Sequence, residues 1–218
     1  MTGNQQIKRS GVLFCICGPT GSGKTTLTER LEGKFSPLAR RSISLTSRKP
    51  REDEVDGKSY YFVSRDEFEI RVKNNELFEW EEVHGNYYGT LRSTLDEALK
   101  DGVDLLLDID IKGALNIKKH YPDNTCITFI ALPSFEELVR RVRGRGKMDE
   151  QQLERRIVTA RSEYDTLLKL MKSGKIDYFL INDQLEDSFE NLCSILKAEG
   201  NRLKRLDYEQ IRRICTVD

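Results

Sequence analysis

A glycine-rich segment between two hydrophobic runs constrains the fold more than any other feature of the sequence. Residues 18–25 match the pattern G-x-x-x-x-G-K-[ST], which forms a phosphate-binding loop when a strand precedes it and a helix follows it. The continuous apolar run at 11–17 suits a strand that is buried on both faces. Residues 25–35 have the spacing of an amphipathic helix. The sequence therefore predicts an α/β fold whose parallel sheet contains this strand.

The loop contains the residue types that hold a nucleoside triphosphate. Gly21 and Gly23 allow the backbone to turn its N–H groups toward phosphate oxygens, and the helix N-terminus adds a favourable partial charge. Lys24 can bridge the β- and γ-phosphates, and the Thr25 hydroxyl can ligate Mg²⁺. The predicted nucleotide-binding residues are Gly18, Pro19, Thr20, Gly21, Ser22, Gly23, Lys24, Thr25 and Thr26. The motif alone leaves hydrolysis, transfer and simple binding open.

Strand and helix patterns alternate through the second half of the chain. Ser134 and Glu137 form a capping-box signature, which predicts a helix that begins at Phe135. The predicted elements are helix 91–100, strand 103–110, strand 126–132, helix 135–143, helix 149–171, strand 178–182 and helix 185–206. This alternation predicts a doubly wound parallel sheet flanked by helices.

Residues 42–90 have a different character from the rest of the chain. Aromatic, charged and turn residues replace the long apolar runs, with a short strand pattern at 59–63 and a helical pattern at 65–74. We interpret this region as an α+β lobe inserted into the core. Residues 1–10 are polar and unpatterned, and they are predicted to form a loose tail.

Charge and composition exclude several classes of function. Lys plus Arg and Asp plus Glu number 36 each, so there is no overall positive field to attract nucleic acid or an anionic membrane. The apolar run at 12–17 is too short to cross a membrane and no cleavage-site pattern follows it, which favours the cytoplasm. Five scattered cysteines are typical of reduced thiols. Metal ligation by Cys15 and Cys17 is the less favoured alternative.

Four separated motifs in the inserted lobe indicate what accepts the phosphate. They read Ser-Leu-Thr-Ser-Arg-Lys-Pro-Arg at 44–51, Gly-Lys-Ser-Tyr-Tyr-Phe at 57–62, Phe-Glu-Trp at 78–80 and Gly-Asn-Tyr-Tyr-Gly-Thr at 85–90. With these motifs the chain resembles the guanylate kinase family from about Leu13 to Leu185. The resemblance implies transfer of the γ-phosphate of ATP to GMP or dGMP, with Mg²⁺ as the cofactor.

The resemblance also implies how the chain is divided. The expected parts are a core at 11–43, 91–142 and 158–206, a GMP-binding lobe at 44–90, a short helical lid at 143–157, and tails at 1–10 and 207–218.

Two arginines and two tyrosines are the expected clamp for the GMP phosphate, namely Arg48, Arg51, Tyr60 and Tyr88. Guanidinium groups bind a dianionic phosphate through charge-assisted pairs of hydrogen bonds, and phenolic hydroxyls can add to them. Each arginine alone is more simply a solvated surface charge, and each tyrosine is more simply half-buried packing. Their joint occurrence in the motifs favours the clamp.

Selection of the base needs an acceptor with two oxygens. Guanine presents N1–H and an exocyclic NH₂ as adjacent donors, which suit the carboxylate of Glu79. Adenine would place a lone pair against that carboxylate, and a site built on hydrogen bonds can discriminate by about 10⁴-fold. The resemblance adds the hydroxyls of Ser44 and Thr90 as supporting groups and implies that Asp110 lies near guanine.

Asp108 and Asp110 close an apolar strand pattern. Because they are two residues apart, they point to the same side at the carboxyl edge of the sheet, where nucleotides bind. Asp108 could orient water on Mg²⁺ in the manner of a Walker B acid, whereas either aspartate could instead cap the following helix. Both interpretations stay open for the sequence alone.

Positioning and charge neutralisation are expected to carry the catalysis. The acceptor is a phosphate oxygen that is already ionised at neutral pH, with a second pKa of about 6, so no general base is needed. Lys24 and Arg48 are candidate catalytic residues, and Arg141, Arg145 and Arg156 match lid arginines of the family. A basic helix end stabilised by the helix dipole is the alternative for the first two lid arginines.

Further positions match or depart from the family pattern. Asn182, after the last predicted strand, resembles the adenine-side loop. Lys112 stands where the family usually has Gln, and Lys147-Met148 replaces the usual Thr-Asp.

Two other functions compete with this interpretation. A non-catalytic guanylate-kinase-like interaction module typically lacks a working phosphate loop, whereas this chain has Lys24 and Thr25. A P-loop kinase for another phosphorylated acceptor, or an NTPase that uses water, would not need Glu79 beside an arginine clamp. We therefore expect ATP and GMP as partners, neither nucleic acid nor membrane, and a monomer or homodimer.

Overall fold

The computed structural model describes residues 7–52, 54–83, 85–144 and 150–216. Its elements in chain order are β1 (Leu13–Cys17), α1 (Lys24–Phe35), β2 (Ala39–Arg41), β3 (Leu45–Thr46), β4 (Tyr61–Phe62), α2 (Arg65–Lys73), β5 (Leu77–Val83), β6 (Asn86–Leu91), α3 (Arg92–Asp101), β7 (Asp104–Asp108), α4 (Ile111–His120), β8 (Thr125–Ala131), α5 (Phe135–Arg143), α6 (Glu150–Leu170), β9 (Tyr178–Ile181), α7 (Leu185–Gly200), a 3₁₀ turn (Leu203–Arg205) and α8 (Tyr208–Cys215).

The larger sheet has five parallel strands in the order β2-β7-β1-β8-β9. Side chains of β1 alternate between its two faces. Leu13, Cys15 and Cys17 pack into a cluster with α3, α4 and α6, whereas Phe14 and Ile16 pack into a second cluster with α1 and α7. Burial on both faces explains why this strand is apolar throughout. The predicted α/β fold with helices on both faces of a parallel sheet is confirmed.

Parallel strands bring the functional segments to one edge of this sheet. The glycine loop follows β1, Asp108 is the last residue of β7, and Asn182 follows β9 directly. Carboxyl ends of parallel strands lie on the same side, and open α/β sheets bind their ligands there. The topology therefore gathers residues that are far apart in sequence.

The smaller sheet lies in the inserted segment and has the order β4-β3-β6-β5. β3 pairs in parallel with β4, whereas β6 is antiparallel to both β3 and β5. Phe68 of α2 packs against Leu45 and Leu77 in a separate small core. The predicted α+β character of this region is therefore present, and helix α2 begins where Ser64 accepts a hydrogen bond from the Glu67 N–H.

Two terminal segments differ from the sequence prediction. The last helix was expected to extend to 206 and to be followed by a tail, but α7 ends at Gly200 and residues 208–215 form α8. The side chain of Arg205 is buried and pairs with Glu199 at 2.6 Å. The chain therefore leaves the helix after Gly200 and turns back, so that Arg205 contacts the end of α7.

Residues 7–10 are also not the loose tail that was predicted. The Arg9 guanidinium pairs with the Asp104 carboxylate at 2.7 Å, and the Ser10 N–H donates to the Arg205 carbonyl at 2.9 Å. The Asp207 N–H in turn donates to the Lys8 carbonyl at 2.8 Å. The two ends of the described chain are therefore joined to each other and to the core sheet.

The cysteines are unpaired, and four of the five are buried. Burial raises the pKa of the Cys15 and Cys17 thiols, which favours the uncharged form. Within the described residues no group of His, Cys, Asp and Glu side chains forms a metal-binding cluster. In the same part of the chain, none of the helices has the length and apolar character that a membrane crossing requires.

Candidate active site

The glycine loop lies between β1 and α1 and is shaped by residues with positive φ. Gly18, Gly21 and Gly23 have φ angles of 134°, 89° and 92°, which side chains rarely tolerate. A Cβ at Gly18 would stand 2.1 Å from the Ile130 carbonyl oxygen. The loop is therefore seated against β8, and the first N–H groups of α1 remain available to bind an anion.

The reactive groups of the loop already have partners. Lys24 Nζ donates to the carbonyl oxygens of Gly18 and Pro19, and Thr25 Oγ1 donates to Asp108 Oδ2 at 2.8 Å. The threonine hydroxyl and the carboxylate thus lie together at the carboxyl end of β7. Proteins usually bind Mg²⁺ through one or two carboxylates together with phosphate oxygens of the substrate. The Asp108 carboxylate and the Thr25 hydroxyl are suitable oxygen ligands for such an ion.

A cavity of about 280 Å³ opens beside the loop. Its lining residues are Gly18, Thr20, Lys24, Asp108, Ile109, Asp110, Arg156, Thr159 and Glu163. Of the predicted lid arginines in the described part of the chain, Arg156 is the one that lines this cavity.

Glu163 is a member of this cavity that sequence reasoning missed. Burial raises its pKa to about 7, with Lys24 acting in the opposite direction. Its Oε2 atom is buried and has no hydrogen-bond partner among the described residues. The signal available in the sequence was its spacing, because Arg156, Thr159 and Glu163 recur at helical intervals along one face of α6.

A second cavity, of about 510 Å³, lies between the two sheets. Five predicted GMP-binding residues line it, namely Ser44, Glu79, Tyr88, Thr90 and Asp110. Lys112, the departure from the family pattern, also lines it.

Glu79 is the partly buried acid of the second cavity. Burial raises its pKa to about 7, and the neighbouring Asp110 and Glu81 act in the same direction. A ligand that donates hydrogen bonds to such a carboxyl group would stabilise its ionised form and lower its pKa.

The two aspartates at the end of β7 have different partners. Asp108 binds the Thr25 hydroxyl, whereas Asp110 is the N-cap of α4 and accepts from the Gly113 N–H at 2.7 Å. The capping alternative is therefore realised for Asp110. Since Asp110 also lines both cavities, the cap does not remove it from the site.

The predicted phosphate clamp contains a residue that the sequence analysis did not name. Arg48 makes two hydrogen bonds to Glu54, at 2.8 and 2.7 Å, and the Arg51 N–H donates to the same carboxylate at 2.8 Å. The Arg48 hydrogen bonds lower the pKa of Glu54 to about 2. Three-residue spacing from Arg51 was the only sequence signal for this acid.

Aromatic rings complete the arrangement around Arg48. Its guanidinium lies 5.4 Å from the ring centroid of Tyr60, and the rings of Tyr60 and Tyr88 meet edge to face at 5.9 Å. Three of the four predicted clamp side chains are thus together. The side chain of Arg51 is exposed.

In the part of the chain that it describes, the structure does not bring the remaining predicted residues into either cavity. Arg141 donates to Glu137 at 2.7 Å and does not line either cavity within the described residues. Arg145 lies outside the described residues, as do Lys147 and Met148. Thr26 is exposed on α1.

Asn182 supports the glycine loop. It is 2% exposed, and its Nδ2 donates to the Ser22 carbonyl at 2.7 Å. A Cβ at Gly23 would stand 2.4 Å from that same nitrogen. The structure therefore brings the loop after β9 into contact with the phosphate loop.

The two cavities meet at one wall. Asp108, Ile109 and Asp110 line both of them. One cavity presents a phosphate loop and cationic side chains, and the other presents hydroxyls, carboxylates and the Tyr88 phenol. This arrangement suits two ligands that bind on either side of the carboxyl end of β7.

Comparison with known proteins gives a consistent result. The family model described as guanylate kinase matches residues 10–199. The guanylate kinase of Geobacter metallireducens is 45% identical over 200 residues, covering 92% of this chain and 95% of its own. That of Helicobacter pylori is 41% identical over 199 residues, covering 91% and 93%. A crystal structure of guanylate kinase from Anaplasma phagocytophilum matches with a TM-score of 0.70 at 30% identity, covering 94% of each chain.

Proposed function

The chain belongs to the guanylate kinase family, and from this premise we propose which of its residues transfer the γ-phosphate of ATP to GMP. Guanylate kinases are ATP:GMP phosphotransferases, and this chain is one of them. The observation that carries the assignment of residues is the wall that the two cavities share, at Asp108, Ile109 and Asp110. Substrates on either side of it would meet end to end.

ATP binds at the phosphate loop in this proposal. The backbone N–H groups of 18–26 surround its phosphates, and Lys24 leaves the carbonyls of Gly18 and Pro19 to bridge the β- and γ-phosphates. Asn182 keeps the loop in place and lies on the adenine side. Thr25 and Asp108 would hold Mg²⁺, which when bound neutralises charge on the phosphate oxygens.

GMP binds in the second cavity. Arg48, Arg51, Tyr60 and Tyr88 hold its phosphate, with Glu54 keeping the Arg48 guanidinium in position. The two oxygens of Glu79 accept the N1–H and NH₂ donors of guanine.

Three further side chains support recognition of the base. Ser44, Thr90 and Asp110 line the same cavity as Glu79 and supply hydroxyl and carboxylate groups. A partly buried carboxylate that accepts two hydrogen bonds from guanine, but would face a lone pair of adenine, is a physical basis for rejecting adenine.

Transfer then depends on closure and charge neutralisation. The GMP-binding lobe at 44–90 and the lid at 143–157 close over the core, so that Arg141, Arg145 and Arg156 reach the transferring phosphoryl group. Closure also excludes water that would otherwise hydrolyse ATP. We further propose that the enzyme works in the cytoplasm as a monomer or homodimer, in keeping with its buried free thiols and balanced charge.

An acceptor comparison tests the proposal directly. ADP release from ATP and Mg²⁺ is measured with GMP, dGMP, AMP, CMP or no acceptor. We expect turnover with GMP and dGMP, about 10²- to 10⁴-fold less with AMP, and loss of turnover when EDTA removes the metal. Equal use of AMP would contradict the role of Glu79. ADP release without acceptor would indicate an NTPase, and no release at all would indicate an interaction module.

A further inference from the structure

Gly113 lies in the first turn of α4, directly beside the acid that is proposed to recognise guanine. A Cβ at this position would stand 2.9 Å from both carboxylate oxygens of Glu79 and 2.7 Å from Cδ1 of Ile109. Attractive contacts of carbon atoms occur at about 3.5 to 4.0 Å. The Glu79 carboxylate therefore occupies space that is open only because residue 113 has no side chain.

Backbone geometry does not explain this glycine. Gly113 is absent from the described residues with positive φ, and it lies within a regular helix. Its N–H group makes the capping bond to Asp110, which any residue other than proline could make. Alanine is the better helix former. What distinguishes glycine here is the space beside Glu79.

We propose that Gly113 is a specificity-determining position that seats the Glu79 carboxylate against α4. This inference rests on the proposed role of Glu79 and extends it to a residue that does not itself touch the reacting atoms. Adding a methyl group displaces the carboxylate from its seat, because both of its oxygens lie 2.9 Å from the position of the new carbon. A displacement of about 1 Å at such a site can cost up to about 10²-fold.

The test combines four variants with one matched control. Gly113→Ala is compared with Glu79→Ala, with the double variant, and with Gly113→Ala joined to Ile109→Val, which removes the Cδ1 atom. Gly33→Ala is the control, because it adds the same methyl group to helix α1 where a Cβ meets nothing within 4 Å. Steady-state kinetics with GMP, AMP and ATP, binding of GMP by calorimetry and the melting temperature are measured for each.

We expect Gly113→Ala to raise KM and Kd for GMP by about 10- to 100-fold while KM for ATP stays unchanged and the melting temperature does not fall. Gly33→Ala should keep the kinetics of the unaltered protein, and its melting temperature should not fall because alanine is the better helix former. In the Glu79→Ala background Gly113→Ala should add nothing, and Ile109→Val should not rescue it.

Three results would overturn the inference. They are unchanged GMP binding in Gly113→Ala, an equal loss when Glu79 is already absent, or recovery through Ile109→Val. Normal GMP and AMP kinetics in Glu79→Ala would overturn the role of Glu79 itself and the inference with it. A failure confined to Gly113→Ala leaves the role of Glu79 standing.

Discussion

The cavity at the phosphate loop and the cavity between the two sheets share a wall, yet they are built from different parts of the chain. The first lies beside a loop whose backbone is shaped by three glycines of positive φ and by the start of α1. The second is formed mainly by side chains from two separate sheets. Backbone N–H groups bind any phosphate, whereas side chains can distinguish one base from another. The donor cavity should therefore control whether transfer occurs, and the acceptor cavity should control which nucleotide receives it.

The two cavities also differ in their readiness for ligands. In the donor cavity Lys24 is held by loop carbonyls, and only one of the described lid arginines lines the space. On the acceptor side Arg48 is already fixed by Glu54, and its guanidinium lies over the ring of Tyr60. Rearrangement on binding should thus be larger on the ATP side.

The largest effect is expected from Lys24→Ala. Loss of the cation that bridges the phosphates should lower kcat by about 10²- to 10³-fold, while Kd for GMP stays unchanged because the acceptor cavity is intact. Single-turnover kinetics and GMP titration measure the two quantities. Lys34→Ala is the control on the same helix, since Lys34 pairs with Glu190 at the surface. A fall in GMP affinity as large as the fall in kcat would contradict the separation of the cavities.

A smaller effect on the acceptor side is expected from Arg48→Ala. Loss of a charge-assisted contact to phosphate should raise KM for GMP by about 10- to 100-fold, with KM for ATP unchanged. Glu54→Gln should cause a weaker rise of the same kind, because it loosens Arg48 without removing it. Arg71→Ala on α2, which breaks the pairs of Arg71 with Glu67 and Glu76, serves as the control. Equal changes in both KM values would count against the clamp.

The smallest effect is expected from Glu163→Gln, which should change the free energy of unfolding in a pH-dependent way that the same change at an exposed acid would not. Its folded pKa of about 7 lies above the unfolded value of about 4.3, so folding favours the protonated form and stability falls as pH rises between these values. Above about pH 7 the loss of stability that comes from ionising Glu163 in the folded protein does not grow further. Because the side chain is partly open to water, Glu163→Gln should raise the free energy of unfolding by only about 1 kcal/mol at pH 8.5.

The same substitution should have little effect near pH 4, where Glu163 is protonated in the folded protein and mostly protonated in the unfolded chain. Urea unfolding of the ligand-free, metal-free protein measures the difference at the two pH values, and Glu154→Gln at an exposed position of α6 is the control. A gain that is equal at both pH values would show that burial of charge is not its cause.

Local signals were enough for the parts of the fold that depend on neighbouring residues. Ser134 accepts from the Glu137 N–H, and α5 spans Phe135–Arg143 as predicted. The strand, loop and helix at 13–35 were likewise readable, since periodicity, glycine and the Lys-Thr pair occur within a few residues of one another. The three-residue β2 was not predicted, because a strand this short has no periodicity. Helix α4 was anticipated without bounds, as the helix that Asp108 or Asp110 could cap, and Asp110 caps it.

Long-range contacts decided what the sequence could not. Arg9 and Asp104, 95 residues apart, form a part-buried ion pair. Periodicity would have continued the last helix to 206, but α7 ends at Gly200 and the buried Arg205 pairs back with Glu199. Glu54, Glu163 and Gly113 resemble ordinary surface or helix residues in the sequence. Each becomes notable only through its contacts in the folded chain: Glu54 with Arg48, Glu163 with the cavity beside the phosphate loop, and Gly113 with Glu79.

The sequence by itself determined the α/β core and the phosphate loop, because each depends on residue type and short spacing, and its resemblance to a family supplied the candidate GMP-binding side chains. The tertiary structure alone decided which of those side chains share a cavity and which acid has a buried oxygen without a partner among the described residues. It also decided where a single missing methyl group leaves room for a carboxylate. Such distances are set when the chain packs, and no local pattern encodes them.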